Sequence, residues 1–102
     1  MKSSSEISAL IAAFKQKNNL TFKDPVSSEL GHILHILNYK KIITVEDLFK
    51  KGPALLVKAY PGLSVNRINL LYEVIGEEPP FEYVKDFRVR VKDKLVLKEK
   101  YR

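Results

Sequence analysis

A chain of 102 residues with 45% hydrophobic and 29% charged residues has the composition of one ordinary globular domain and lies outside the range of disordered segments. It contains no cysteine, which excludes disulfides and thiolate metal sites, and no apolar run nears the roughly 18 residues of a membrane span, so a soluble, cytoplasmic domain is expected. The formal charge is +6, and residues 85–102 hold eight basic against three acidic side chains, a surplus of +5 that leaves +1 for residues 1–84 and points toward a polyanionic partner such as nucleic acid.

Ser3 followed by Glu6 has the spacing of a capping box, and Ile7, Leu10, Ile11 and Phe14 recur at helical spacing, which predicts a first helix over 5–17. Lys17-Asn18-Asn19 ends it, and Asp24-Pro25 marks a turn. Ser27 or Ser28 is the expected cap of a second helix whose apolar stripe is Leu30, Ile33, Leu34 and Leu37 and which runs to Tyr39 or Lys40. Thr44 with Glu46 and Asp47 opens a short third helix, which Gly52 ends in a left-handed conformation. Pro53 then occupies the first position of a fourth helix, Ala54 to Tyr60. Pro61-Gly62 closes that helix, and Ser64 caps a fifth carrying Val65, Ile68, Leu71, Val74 and Ile75, with Gly76 as its stop.

Past Pro79-Pro80 the period changes: Phe87, Val89 and Val91 alternate with Arg88, Arg90 and Lys92, the two-residue repeat of a strand with one basic face. Asp93-Lys94 is the expected turn of a hairpin returning through Leu95 to Leu97, and a terminal helix from Lys92 onward is the rival reading. The expected architecture is mainly α, a compact bundle of about five short helices over residues 1–84 with a basic, extended or hairpin tail over 85–102.

Residues from about 30 to 76 carry a resemblance. Ile43-Thr44-Val45-Glu46-Asp47-Leu48, Gly52, Ser64-Val65-Asn66 and Leu70-Leu71-Tyr72 with Gly76 are similar to the C-terminal domain of the TfoX/Sxy family, with its "GI-x-T-V-E-E-L" helix start and its later "S-x-N-x-L-Y-A-x-x-G" helix. The chain departs from that pattern in two places: Leu30-Gly31-His32 alone represents the family's early glycine turn, and Lys40-Lys41 stand where a glycine would precede the isoleucine. Ile42 to Leu48 also resembles, more distantly, the "I-N-T-V-x-D-L" run in the C-terminal domain of the α chain of RNA polymerase. Both resemblances imply a helix-hairpin-helix-like or SAM-like fold, and the first implies a role in regulating competence and related transcription.

In helix-hairpin-helix domains, backbone N–H groups at a helix N-terminus meet a DNA phosphate. The corresponding segment here is Tyr60-Pro61-Gly62-Leu63-Ser64, with Gly62 and Ser64 as the candidate contacts and Arg67 and Lys58 as the nearest cations; a plain cap and turn is the alternative. Lys40 and Lys41 are candidate phosphate contacts against a solvated loop, and Arg88, Arg90, Lys92 and Lys94 are the main expected electrostatic contact against a solvated tail. Asn66 and Asn69 flank Arg67 as candidate base readers against simple helix surface. His32 and His35 lie three apart without a third ligand, so no metal is expected, and Glu77-Glu78 reads as a solvated helix exit.

No glycine-rich phosphate loop, clustered carboxylates or histidine beside a serine and an acid is present, so neither catalysis nor a cofactor is expected. The expected function is a nucleic-acid-associated or transcription-regulatory binding module with DNA as partner. The alternative is a protein-interaction module whose C-terminal strand pairs with an acidic partner or a second copy.

Overall fold

A computed structural model of the chain describes residues 5–86 and 92–101, with side chains described over 5–82 and 96–101. Five helices form: α1 (Ile7–Lys17), α2 (Pro25–Tyr39), α3 (Val45–Lys51), α4 (Pro53–Ala59) and α5 (Val65–Val74). An antiparallel hairpin of β1 (Phe81–Asp86) and β2 (Lys92–Leu97) follows, and a 3₁₀ turn at Glu99–Tyr101 closes the described chain. The expected five-helix bundle with a C-terminal hairpin is the observed architecture.

Most helix starts follow the local chemistry, and two do not. At α3, Thr44 Oγ1 accepts from the Asp47 N–H and Asp47 Oδ2 accepts from the Thr44 N–H, both at 3.1 Å, completing a capping box. Asp47 also accepts from the Ile43 N–H, and these donors hold its carboxyl below the usual aspartate range. The expected serine cap of α2 is corrected: the helix begins at Pro25, with Asp24 in the capping position, because proline at the first helical position already has helical φ. Ser27 therefore lies inside the first turn, buried, with no hydrogen-bond partner for its hydroxyl among the described residues. Glu6 is itself the N-cap of α1 and makes no side-chain cap there; Ser3, the cap expected for this helix, lies outside the described residues. Glu6 instead forms a bridge with Thr44, and the Ile7 and Val45 N–H groups donate to the Ile43 and Ser5 carbonyls, tying the starts of α1 and α3 together.

Three helices end the same way. After α1, α2 and α5 the chain passes through a residue with positive φ, at Asn19 (55°), Lys41 (62°) and Gly76 (83°). In each case the next N–H reaches back into the last turn, Leu20 to the Lys15 carbonyl, Ile42 to Leu37 and Glu77 to Tyr72, which satisfies carbonyls the helix leaves open. Lys41 thus holds a left-handed conformation that glycine adopts without steric cost. Gly52 has φ 77° but ψ 154°, an extended conformation open essentially only to glycine rather than the left-handed helical one expected, and serves both as the end of α3 and the start of α4.

The apolar stripes converge on one core. Ile7 and Ile11 of α1, Leu30, Ile33 and Leu37 of α2, and Ile68 and Leu71 of α5 are almost completely buried. Truncating a side chain such as Leu37 to alanine would cost about 2–5 kcal/mol through lost burial and the cavity left behind.

The hairpin differs from its expected form. Its strands pair from Phe81 with Leu97 to Asp86 with Lys92, so Asp93 and Lys94 lie within β2, opposite Lys85 and Val84, and are not the turn. This register sets Lys85 against Asp93 and Asp86 against Lys92. The terminal helix from Lys92 is likewise overturned, and the expected strand over 87–91 lies outside the described residues.

The hairpin docks on the bundle through its base. Asn69 of α5 bonds the backbone of Phe81, the Lys98 N–H donates to the Pro80 carbonyl at 2.7 Å, and the Tyr101 hydroxyl donates to the Glu78 carbonyl at 3.2 Å. The Tyr101 ring meets Tyr72 edge-on, 5.8 Å between centroids, and burial pushes the Tyr72 hydroxyl up to about 12. Glu78 is no simple solvated exit: its carboxylate takes Lys98 Nζ at 2.9 Å and Lys100 Nζ at 3.0 Å, which hold it at about 2.

Candidate nucleic-acid interface

Between α4 and α5 the chain turns at Tyr60-Pro61-Gly62-Leu63-Ser64. Leu63 is buried and anchors the turn to the core, and its N–H closes on the Tyr60 carbonyl at 3.1 Å. Gly62 has φ 94°, and a Cβ there would lie 2.8 Å from Cδ1 of Ile36 on α2, so the turn both needs glycine and sits directly on that helix. Ser64 caps α5 by accepting the Arg67 N–H at 3.3 Å. The N–H groups of Gly62, Ser64, Val65 and Asn66 have no partner among the described residues, and those of Val65 and Asn66 open the positive end of a ten-residue helix.

Arg67 braces this turn. Its Nε donates to Glu29 Oε2 of α2 at 2.6 Å and its Nη1 to the Gly62 carbonyl at 2.8 Å, so one guanidinium joins the first turn of α5, the hairpin and α2. The same pairing holds the Glu29 carboxyl below its ordinary range and offsets much of the positive charge at the turn. Arg67 therefore supports the turn in addition to being its nearest cation. Glu29, 38 positions away in sequence, carries no local signal of this partnership.

Lys40 lies at the other end of the same stretch of α2. Its ammonium stands 5.5 Å from the Tyr39 ring centroid and 5.6 Å from that of Tyr60, the residue that begins the hairpin. Glu29, Ile36 and Lys40 thus contact successively Arg67, Gly62 and Tyr60, and an open groove of about 850 Å³ runs along the turn. Gly62, Ser64 and Arg67 line this groove together, and Lys40 meets it only at its Tyr60 end. Lys41 and Lys58 are exposed.

Arg88 and Arg90 lie outside the described residues; Lys92 and Lys94 lie on β2, paired with Asp86 and Val84, and their side chains are likewise outside the description. Asn69 is not a free base reader, because both ends of its amide are held by Phe81. Asn66 remains exposed beside the hairpin. His32 and His35 are exposed, and among the described residues no group of three potential metal ligands occurs. No described helix is long and apolar enough to cross a membrane.

Comparison with protein-family models, with curated proteins and with solved structures found no match.

Proposed function

We propose that this chain is a non-enzymatic nucleic-acid-binding module that presents the α4–α5 turn to the sugar-phosphate backbone. The observation that carries this reading is the set of N–H groups at Gly62, Ser64, Val65 and Asn66, at a helix start, without partners among the described residues. A phosphate oxygen is a natural acceptor for such groups, since it meets both their hydrogen-bonding capacity and the helix dipole. Lys40 and the +5 surplus of residues 85–102, with Arg88, Arg90, Lys92 and Lys94 at its centre, supply attraction without sequence preference. The resemblance to the TfoX/Sxy C-terminal domain supports a cytoplasmic, transcription-related setting, competence among them.

The test is an NMR titration with duplex DNA across a salt series. The reading predicts affinity that falls steeply with salt and the largest amide shifts at Gly62, Ser64, Val65 and Asn66. Absence of binding at low salt, or shifts confined to other surfaces, overturns it.

A second reading, a protein-interaction module, is supported by the two-stranded sheet, beside which no third strand stands among the described residues. A strand from an acidic partner or a second copy would extend such a sheet. Light scattering at increasing concentration tests the second copy: a constant monomer mass removes it.

A further inference from the structure

We infer that Tyr39, Lys40 and Tyr60 form a stacking site for an unpaired base, and that the nucleic acid this chain prefers is single-stranded. The inference rests on the proposed nucleic-acid reading and specifies its ligand. Tyr39 is 77% exposed at the last position of α2, a helix whose aliphatic positions largely face the core. Its ring is not isolated. The Lys40 ammonium adjoins both it and the half-buried Tyr60 ring, which is followed directly by Pro61-Gly62 and the unpartnered N–H groups.

A nucleotide needs these three chemistries side by side: a π-face for the base, a cation for the phosphate, and N–H donors for the next phosphate oxygens. Duplex DNA can use only the latter two, because its base faces are already stacked on one another. An open tyrosine ring joined through Lys40 to Tyr60, where the turn begins, therefore gains a contact only from an unpaired strand. Phe22 is more exposed still, at 87%, but its only described aromatic or cationic neighbour is the adjacent Lys23, 5.9 Å from its ring. It adjoins no second ring, and it carries no such inference.

The chain has no tryptophan, so emission comes from its five tyrosines, and the part of the quenching lost in Tyr39→Ser belongs to Tyr39. The experiment measures binding of the full chain to oligothymidylate of about 12 nucleotides, within the site size of small single-strand binders, and to a duplex of equal length, by anisotropy and by tyrosine quenching. Tighter binding to the single strand with quenched emission is expected. Tyr39→Ser should weaken oligothymidylate binding roughly fivefold or more and leave duplex binding unchanged, while Lys40→Gln should weaken both. Both side chains project from the bundle surface, and an unaltered circular dichroism melt confirms that the variants fold. Tyr39→Ser binding oligothymidylate as the parent does, or tighter binding of the duplex, overturns the stacking site while leaving the backbone-binding reading intact. Failure to bind either nucleic acid overturns both.

Discussion

Asn69 holds Phe81 by both faces of its peptide backbone: its Nδ2 donates to the Phe81 carbonyl at 3.1 Å and its Oδ1 accepts from the Phe81 N–H at 3.0 Å. A side-chain amide here takes the place of a neighbouring strand and fastens the start of β1 to α5. Because Phe81 is buried, its backbone groups would find little water if the amide were removed. Asn69→Ala is expected to cost about 1–3 kcal/mol in urea unfolding and to expose the hairpin to proteolysis. Asn69→Asp should be worse, since a carboxylate oxygen would then face the Phe81 carbonyl. An unchanged midpoint for both variants would show that the hairpin is held elsewhere.

The Glu78 clamp makes hairpin docking sensitive to acid. Lys98 and Lys100 hold the Glu78 carboxyl at about 2, against an ordinary value of 4.5. A carboxyl whose pKa is depressed on folding contributes stability above its unfolded value and loses it as pH falls through the folded one. The contribution is therefore complete above pH 4.5 and disappears between pH 4.5 and about 2. Following the Tyr101 ring resonances against pH should show undocking in that window. Glu78→Gln should remove this pH dependence, and salt should weaken the parent clamp because it is exposed.

Two positions are suboptimal for stability, and both should improve on substitution. Lys41 sits at φ 62°, where glycine carries no steric penalty, so Lys41→Gly is expected to stabilise by about 1 kcal/mol. The Ser27 hydroxyl is buried in the first turn of α2 without a partner among the described residues, so Ser27→Ala should also stabilise, by about 1 kcal/mol. Thermal melts that fall for Lys41→Gly would mean that the turn depends on the lysine side chain.

Glu29 restrains the candidate interface electrostatically. Its carboxylate pairs with Arg67 directly beside the hairpin, so Glu29→Gln would leave the guanidinium uncompensated while keeping a hydrogen-bond acceptor for it. Binding to nucleic acid is expected to tighten, and the slope of log affinity against log salt to steepen by about one. If binding weakens instead, Glu29 serves mainly to aim Arg67 at the Gly62 carbonyl.

The helices were legible from sequence because their signals act within a few residues. Thr44 and Asp47, Pro53, Ser64 and Gly76 each decide a start or a stop through the bonds or backbone angles of their own turn, and the apolar spacing identifies the buried faces without reference to any partner. The hairpin was legible as a tendency, but its register was not. Alternation at Phe87, Val89 and Val91 pointed to a later strand, whereas β1 begins at Phe81, where a distant Asn69 supplies the backbone partner that starts the sheet. The candidate interface divides in the same way. Gly62 and Ser64 could be named from the turn itself, but that Glu29 neutralises Arg67, that Asn69 is occupied, and that Lys40 joins Tyr39 to Tyr60 depend on helices brought together from far apart in the chain. Local chemistry determined where most of the helices begin and end; only the packing of α2 against α4 and α5 decided which charges and rings share a surface, because electrostatic and aromatic contacts act through space and not along the sequence.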